Sequence, residues 1–328
     1  MTIKNVTVAG SGVLGSQIAF QSAFKGFNVT IYDINDETLE KAKQTIQNLS
    51  DIYTEEISEQ QKTMDKVLHG GVYNPNFLPD IKIATFNELN DDLKSIKHAK
   101  DSISFSSDLK SAVSDADLLI EAIPEKVEIK NDFYEKLGKV APSKTIFATN
   151  SSTLLPSMFA DITGRPEKFI ALHFANQIWK NNTAEIMGHS KTDKGVYEEV
   201  VQFAKDIGMI TIELKKEQPA YVLNSMLVPF LSAGQALYAK GVADFETIDK
   251  TWMLATKAPM GPFAILDIVG LKTAYDIVSN HAKDDPSFQP LADMIKNEYI
   301  DKGKMGIATG EGFYKYPNPA YTDPNFLS

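Results

Sequence analysis

The 328-residue sequence contains no cysteine and only five histidines. Without cysteine, the chain cannot form a disulfide framework, a zinc ribbon or a thiol nucleophile. It also lacks any run of 18 or more apolar residues, and nothing near its start resembles a signal peptide, so we expect no transmembrane helix. Together these absences lead us to expect a cytoplasmic protein.

Positive charge is also in short supply. Lysine and arginine number 33 against 43 aspartates and glutamates, which gives a formal net charge of −10. This balance argues against nucleic acid and against an anionic membrane as partners, because both bind basic surfaces. Hydrophobic residues make up 43% of the chain, enough for a sizeable core, and the length suits two domains.

What the chain does contain is an alternation of strand and helix patterns. The β-branched segment at 4–9 predicts a strand, and apolar residues at helical spacing after it predict a helix. A second predicted strand follows, and the next predicted helix begins near Glu37. Such a βαβ unit implies a parallel sheet. Further strand patterns lie at 117–125, 145–150, 169–174, 183–187 and 209–214.

The loop after the first strand reads GSGVLG and places Gly10, Gly12 and Gly15 in the spacing of a dinucleotide-binding turn. Glycines there permit a tight turn, let the backbone approach a pyrophosphate, and allow close packing of helix on strand. Asp33 ends the second strand where an adenosine ribose is expected, and no lysine or arginine follows it in DINDE, so the pattern favours NAD over NADP. A tight turn with a helix-capping aspartate is the alternative. Val13 and Leu14 are included among the predicted cofactor contacts.

Helical patterns dominate after residue 216. Residues 221–240 carry a wide apolar stripe at 222–231, and proline-glycine breaks such as that at 258–263 separate the later helices. We therefore predict an α/β fold with a doubly wound Rossmann-type NAD-binding domain, residues 1–215, followed by an all-helical domain, residues 216–328.

Polar residues stand at or just after the ends of the predicted strands, where ligands bind in doubly wound sheets. His173, in the apolar segment ALHFAN, could be a hydrogen-bonded core residue, a metal ligand or a proton carrier. The spacing of His, Asp and Glu suggests no metal site, so we predict none. An ordinary helix cap is the alternative for Asn150 and Ser152, and Glu185 alone could be a surface carboxylate.

Five ordered motifs make the sequence similar to the 3-hydroxyacyl-CoA dehydrogenase family. The family's Asn-Thr-Ser-Ser-Leu, Leu-His-Phe-Phe-Asn-Pro and Pro-Gly-Phe-Ile-Val-Asn resemble residues 150–154, 172–177 and 219–224. Its Pro-Met-Gly-Pro-Phe and Thr-Gly-Glu-Gly-Phe-Tyr occur at 259–263 and 309–314. The resemblance covers nearly the whole chain apart from an apparent insertion at about 68–102.

The resemblance implies an NAD-dependent enzyme that interconverts 3-hydroxyacyl and 3-ketoacyl compounds and forms a homodimer. His173 would be the general acid and base, since imidazole titrates near neutral pH. Glu185 would fix the tautomer of its ring, while Ser152 and Asn224 would hydrogen-bond the reacting oxygen. The further cofactor contacts are predicted to be Ala122, Ile123, Glu125, Lys130, Asn150, Ser152 and Asn176.

Departures from the family pattern concern the substrate. Counted from the second strand, the family's serine and lysine contacts for CoA fall near Leu49 and Glu56, where an acid would repel phosphates. Ala308 replaces the lysine that precedes Thr-Gly-Glu-Gly, and Gln177 replaces a proline. These positions weaken the prediction of a CoA ester.

Several segments, including ATNSSTLLPS, LHFANQIWKNNTAEIMG and YVLNSMLVP, resemble the diketoreductase branch of the family. Members of that branch reduce 3-keto and 3,5-diketo esters without a CoA handle. Trp179 and Trp252 lie in shared motifs and could line an apolar substrate pocket, or serve as core or interface residues. A sugar-acid dehydrogenase of the gulonate type and a non-catalytic NAD-binding relative are the alternatives.

Overall fold

The structure is a computed structural model that describes residues 3–69 and 83–327. The chain divides into two compact units, Met1–Val222 and Leu223–Ser328. The first unit is α/β and the second is helical, so the predicted fold class is confirmed. The predicted domain boundary between residues 215 and 216 stays a prediction. Among the described residues, no helix is both long and apolar enough to cross a membrane.

The first unit contains one eight-stranded sheet. Its strands are β1 (Asn5–Ala9), β2 (Asn28–Tyr32), β3 (Ser104–Ser106), β4 (Leu118–Glu121), β5 (Ile146–Thr149), β6 (Phe169–Phe174), β7 (Thr183–Met187) and β8 (Ile210–Leu214). They lie in the order β3-β2-β1-β4-β5-β6-β7-β8. The first six strands are parallel, whereas β7 runs antiparallel to β6 and parallel to β8. The sequence pattern predicted a parallel sheet and gave no sign of this reversal.

Helices cover both faces of the sheet, as its apolar strands require. Leu118 and Ile120 of β4 belong to one core cluster, while Leu119 between them belongs to another. Strands buried on both faces are typical of parallel sheets, and successive side chains point to opposite faces. The helices of this unit are α1 (Val13–Phe24), α2 (Asp36–His69), α3 (Ile83–Ser102), α4 (Leu109–Ala112), α5 (Val127–Val140) and α6 (Lys194–Asp206).

Residues 51–104 are polar and acidic, and their sequence predicts no clear strand or helix; the described part of this stretch is mostly helical. α2 extends to His69, and α3 occupies the remaining described part of the apparent insertion at 68–102. Leu89 and Ile96 of α3 share a core cluster with Ile46 of α2, so both helices contribute to the same apolar core. The sequence HGGVYNPNFLPD, residues 69–80, has the glycines and prolines typical of a loop, and all of it after His69 lies outside the described residues.

The second unit contains α7 (Leu223–Ala239), α8 (Phe245–Thr256), α9 (Pro262–Val269), α10 (Leu271–Asp284) and α11 (Gln289–Met294), followed by short turns. Two buried aspartates organise it. Asp249 accepts hydrogen bonds from the backbone N–H groups of Phe263 and Ala264 at the start of α9, each at 2.9 Å. Asp267 accepts from the N–H groups of Phe313 and Tyr314, each at 2.8 Å. The motifs at 259–263 and 309–314 therefore bind buried carboxylates within this unit.

Candidate functional site

The carboxyl edge of the parallel strands gathers the predicted cofactor contacts. β1 leads into the glycine-rich loop, β4 into residues 122–126, and β5 into residues 150–154. Because β1, β4 and β5 are parallel neighbours, the three loops leave the sheet at the same edge. This is where a doubly wound sheet binds its ligand.

The glycine-rich loop fits the approach of a dinucleotide. Gly10 has a φ of +102°, in the region that favours glycine. A Cβ on Gly15 would lie 2.0 Å from the Gly10 carbonyl oxygen, so only glycine fits there. A Cβ on Gly12 would meet nothing within 4 Å, which leaves open space above the start of α1. The first N–H groups of a helix lack intrahelical partners, so this space suits a pyrophosphate.

Asp33 connects the end of β2 to this loop. Its Oδ2 accepts hydrogen bonds from the backbone N–H and the hydroxyl of Ser11, at 2.8 and 2.6 Å, and its Oδ1 accepts one from the N–H of Ile34 at 2.8 Å. Each carboxylate oxygen can accept two hydrogen bonds, so Oδ1 retains a position that a ribose hydroxyl could use. The carboxylate therefore both holds the loop and faces the predicted ligand.

Two cavities lie along this edge. The larger, of about 610 Å³, is lined by Gly10, Gly12 and Asp33 together with the apolar side chains of Ile34, Ile123, Ile129 and Phe133. The smaller, of about 240 Å³, is lined by Gly12, Val13, Leu14, Gly15, Glu121, Ala122, Ile123, Glu125, Lys130, Asn150 and Ser152. All predicted cofactor contacts except Asn176 line one of them. Asn176 is exposed on the loop after β6.

A buried carboxylate network supports the smaller cavity. Glu121 is fully buried, and its Oε1 accepts from the Lys130 ammonium at 2.6 Å. Its Oε2 accepts from the hydroxyls of Tyr134 and Thr149, each at 2.7 Å. Lys130 is 1% exposed and also lies 3.3 Å from the Glu125 Oε2. The network fixes Lys130 between two glutamates, and sequence reasoning missed Glu121 because a strand-end acid has no distinctive spacing.

Glu125 joins the β4 loop to the β5 loop. Its Oε1 accepts from the Ser151 hydroxyl at 2.5 Å and from the backbone N–H of Thr153 at 3.0 Å. Partial burial alone would raise the pKa of Glu125, but the Ser151 hydroxyl, the Lys130 charge and Thr153 together lower it. Glu125 is thus held as a carboxylate that fixes the position of Ser151, the neighbour of Ser152.

His173 and Glu185 face each other across the antiparallel pair β6 and β7. The His173 Nδ1 lies 3.1 Å from the Glu185 Oε2, and both side chains are buried. Because a carboxylate only accepts hydrogen bonds, Nδ1 carries the proton and Nε2 is left as the acceptor in the neutral ring. The Ser152 hydroxyl lies 3.2 Å from that Nε2. Asn150 fixes the end of β6, since its Oδ1 accepts from the Phe174 N–H at 2.9 Å.

Residues 221 and 222 complete the surroundings of the histidine, and sequence reasoning assigned them no role. The Tyr221 ring is stacked on the His173 ring, with centroids 4.6 Å apart and planes inclined by 15°. The Val222 backbone N–H donates to the Glu185 Oε1 at 2.9 Å. The one available signal was the family motif at 219–224, in which the tyrosine position follows proline and a small residue.

The remaining predicted residues lie elsewhere. Asn224 belongs to the second unit, near the start of α7, and its role stays a prediction. Trp179 packs beside Tyr53 in the first unit, with ring centroids 5.7 Å apart. Trp252 is in the second unit, 4.3 Å from the ring of Phe230 and 39% exposed. In residues 3–69 and 83–327, no group of three or more His, Asp or Glu side chains could hold a metal ion.

Comparison with known proteins gives matches over nearly the whole chain. Residues 5–77 and 81–218 match the model of the 3-hydroxyacyl-CoA dehydrogenase NAD binding domain, and residues 221–316 match that of the C-terminal domain. Mitochondrial hydroxyacyl-coenzyme A dehydrogenase of Sus scrofa is 33% identical over 318 residues, covering 96% of this chain and 91% of its own. The 3-hydroxybutyryl-CoA dehydrogenase of Bradyrhizobium diazoefficiens is 28% identical and covers 96% of both chains.

Among solved structures, a diketoreductase described for substrate-directed dual catalysis of dicarbonyl compounds is similar in both sequence and fold. It is 52% identical to this chain, with a TM-score of 0.81, and the match covers 96% of this chain and 100% of the other. The resemblance to the diketoreductase branch, stated from the sequence motifs, is therefore confirmed.

Proposed function

The chain belongs to the 3-hydroxyacyl-CoA dehydrogenase family, and we propose that its His173 is the acid and base that interconverts a 3-hydroxyacyl and a 3-ketoacyl compound. The family makes it an oxidoreductase with NAD as its cofactor. When bound, the nicotinamide accepts or supplies the hydride at the carbon that bears the reacting oxygen.

The proton moves at the His173 Nε2. In ketone reduction, the imidazolium donates its Nε2 proton to the substrate oxygen as the hydride arrives at carbon, and it is left neutral. In alcohol oxidation, the neutral ring accepts the hydroxyl proton at the same atom. The Glu185 carboxylate, 3.1 Å from Nδ1, stabilises the charged ring and fixes its tautomer. We assign Ser152 and Asn224 to hydrogen bonds with the reacting oxygen.

One observation supports this assignment more than any other. Ser152 lines the cavity of about 240 Å³ beside the glycine-rich loop, and its hydroxyl also lies 3.2 Å from the His173 Nε2. A substrate oxygen held by Ser152 would therefore be next to both the predicted cofactor site and the proton carrier. A non-catalytic NAD-binding protein would have no need of this arrangement.

We further propose that the substrate is a free 3-keto or 3,5-diketo ester. Leu49, near one counted CoA position, is 4% exposed and belongs to the core. Glu56, near the other, is an acid that pairs with Lys180 at 2.5 Å, so the ammonium group beside it is already bound to a carboxylate and not to a CoA phosphate. The diketoreductase that is 52% identical acts on dicarbonyl compounds, which agrees with such a substrate.

A substrate panel tests the proposal. Turnover with NAD(H) is measured for acetoacetyl-CoA, its simple 3-keto ester and gulonate, at matched concentrations. We expect a higher kcat/KM for the free ester than for the CoA ester. The opposite ranking would indicate a CoA-ester dehydrogenase, and turnover of gulonate alone would indicate a sugar-acid enzyme. Tight NAD binding without turnover of any of them would reject the enzymatic assignment.

The role of His173 is tested by His173→Gln. We expect unchanged NAD affinity and a loss of at least about a hundredfold in kcat, the scale of acid–base assistance. His189→Gln is the matched control, because the His189 Nε2 lies 3.1 Å from the Pro166 carbonyl oxygen, away from both cavities at the carboxyl edge. Turnover of His173→Gln within threefold of the parent would contradict the assignment.

Homodimer formation and a cytoplasmic location also stay proposals. Several side chains of the stripe predicted at 222–231 are exposed on this chain, among them Leu223 at 43% and Met226 at 62%. Burial of such an apolar surface is a common reason for subunits to associate. Sedimentation over a range of concentrations should give twice the mass of the chain.

A further inference from the structure

We propose that Tyr221 is a positioning residue that holds the His173 ring and the Ser151–Ser152 turn in their working arrangement. The proposal rests on the acid–base role given above to His173. It is carried by three contacts that two successive residues make with the members of the site.

The first contact is the ring stack. Tyr221 is 1% exposed, and its ring lies parallel to the His173 imidazole within 15°, at a centroid distance of 4.6 Å. The stack closes one face of the imidazole to water and prevents the ring from turning about its Cβ–Cγ bond. Because Nδ1 must point at Glu185 for Nε2 to point at Ser152, blocked rotation preserves the line of proton transfer.

The second contact is made by the Tyr221 hydroxyl, which donates to the Ser151 carbonyl oxygen at 2.8 Å. The Ser151 side chain is separately bound to Glu125 at 2.5 Å. Ser151 is thus held from both sides, and the residue that follows it is Ser152. A phenylalanine at this position, as in the family's Pro-Gly-Phe-Ile-Val-Asn, could supply the stack but not this hydrogen bond.

The third contact explains the backbone conformation. Ala220 and Tyr221 both have left-handed φ angles, +63° and +55°, although neither is glycine. Strained backbone of this kind persists where surrounding contacts require it, and it is frequent at active sites. Here the turn directs the Tyr221 ring inward and the next N–H, that of Val222, to the Glu185 Oε1 at 2.9 Å.

Tyr221 does not replace His173 as the proton carrier. Burial first, and then the charges of Glu185, Glu125 and Glu121, raise the pKa of Tyr221 well above its ordinary value. The phenol therefore remains protonated at any working pH and acts as a hydrogen-bond donor.

Two substitutions separate the contacts. Tyr221→Phe keeps the ring stack and removes the donor, and we expect kcat to fall roughly three- to tenfold, the usual worth of one hydrogen bond. Tyr221→Leu removes both contacts, and we expect a fall of about a hundredfold, the scale of a misplaced catalytic group. KM for substrate and the Kd for NAD should change less than about twofold in each. A kcat that is partly recovered in Tyr221→Phe relative to Tyr221→Leu indicates that the ring positions His173.

Tyr197→Phe is the matched control. The Tyr197 hydroxyl also donates to a backbone carbonyl, that of Ile186 at 3.3 Å, but its ring is not stacked on His173. It should leave kcat unchanged. An equal loss in Tyr197→Phe, or a full kcat in a folded Tyr221→Phe and Tyr221→Leu, would overturn the proposal.

The His173→Gln background distinguishes this proposal from the proposed function. If the Tyr221 ring acts through His173, the additional loss from Tyr221→Phe to Tyr221→Leu should be absent from the residual turnover in the His173→Gln background. A further loss of the same size in both backgrounds refutes positioning and leaves the role of His173 intact. Full turnover in His173→Gln refutes the proposed function itself.

Ring NMR of labelled histidine gives a readout that needs no substrate. With only five histidines in the chain, His173→Gln assigns the signal. The Nδ1 proton of His173 should exchange slowly in the parent and in Tyr221→Phe, and rapidly in Tyr221→Leu. Slow exchange in all three would show that Tyr221 does not hold the ring, whatever the turnover.

Discussion

Replacing Glu185 with glutamine should invert the hydrogen bonding of His173 without changing its packing. Glu185 accepts twice, from the His173 Nδ1 at 3.1 Å and from the Val222 backbone N–H at 2.9 Å. Glutamine has one acceptor oxygen and one donor amide group. The Val222 N–H cannot become an acceptor, so the glutamine oxygen turns toward it and the amide group turns toward the ring. His173 is then held with its proton on Nε2, where the neutral ring can no longer accept one from a substrate hydroxyl.

The size of the expected loss in kcat follows from the lost charge of Glu185 as well as from the changed tautomer of His173. Two opposite unit charges about 4 Å apart attract each other by roughly 4 kcal/mol at the effective dielectric constant of protein sites. Part of that attraction is offset by desolvation of the two buried groups, so we expect 3 to 4 kcal/mol to be lost, about 10² to 10³ in kcat. The Kd for NAD should not change, since Glu185 lines neither cavity at the carboxyl edge.

The assay is steady-state turnover in both directions, with NAD affinity measured by fluorescence titration. Glu213→Gln is the matched control, because Glu213 is an exposed carboxylate on β8, the strand paired with β7. It should retain full activity. If Glu185→Gln keeps more than about a third of the parent kcat, the tautomer argument is wrong.

Three further substitutions test the cofactor site. Gly12→Ala should leave the unfolding temperature unchanged but weaken NAD binding at least about tenfold, because its Cβ meets no protein atom and would enter the space predicted for the pyrophosphate. Gly15→Ala should lower both the unfolding temperature and the affinity for NAD, since its Cβ would lie 2.0 Å from a backbone oxygen. Equal unfolding temperatures of Gly12→Ala and Gly15→Ala would contradict this expectation. Asp33→Ala should raise the KM for NAD about tenfold, the worth of hydrogen bonds to a charged group. An unchanged KM would remove Asp33 from the site.

The sequence was most informative where the geometry of the site depends on one local segment of the chain. Gly10 needs its φ of +102°, and Gly15, in the first turn of α1, has no room for a Cβ; both are local requirements that the glycine spacing already expressed. The pairing of His173 with Glu185 was reached only through the family resemblance. Its direct cause is the antiparallel register of β6 and β7, which is a long-range property that local periodicity does not encode.

The sequence analysis assigned no role to Glu121, because the partners of this side chain are distant in the sequence. Glu121 looked like an unremarkable strand end, yet it receives hydrogen bonds from Lys130, Tyr134 and Thr149, which lie on two further elements. Removing one partner of such a buried ion pair typically costs about 3 to 5 kcal/mol. Lys130 therefore stabilises the fold, a role that the sequence analysis, which predicted a cofactor contact, did not assign to it.

The reversal of the last two strands links these observations. If β7 ran parallel to β6, the chain would enter it from the opposite edge, and the register that opposes Glu185 to His173 would be lost. Because β8 is parallel to β7, it carries the chain away from the carboxyl edge, and its last residue, Leu214, pairs with Met187. Residues 215–222 must then return over the sheet face, where Tyr221 packs against Ala171 and Met187 and reaches His173. One change of strand direction thus delivers both the carboxylate and the aromatic ring to the same imidazole.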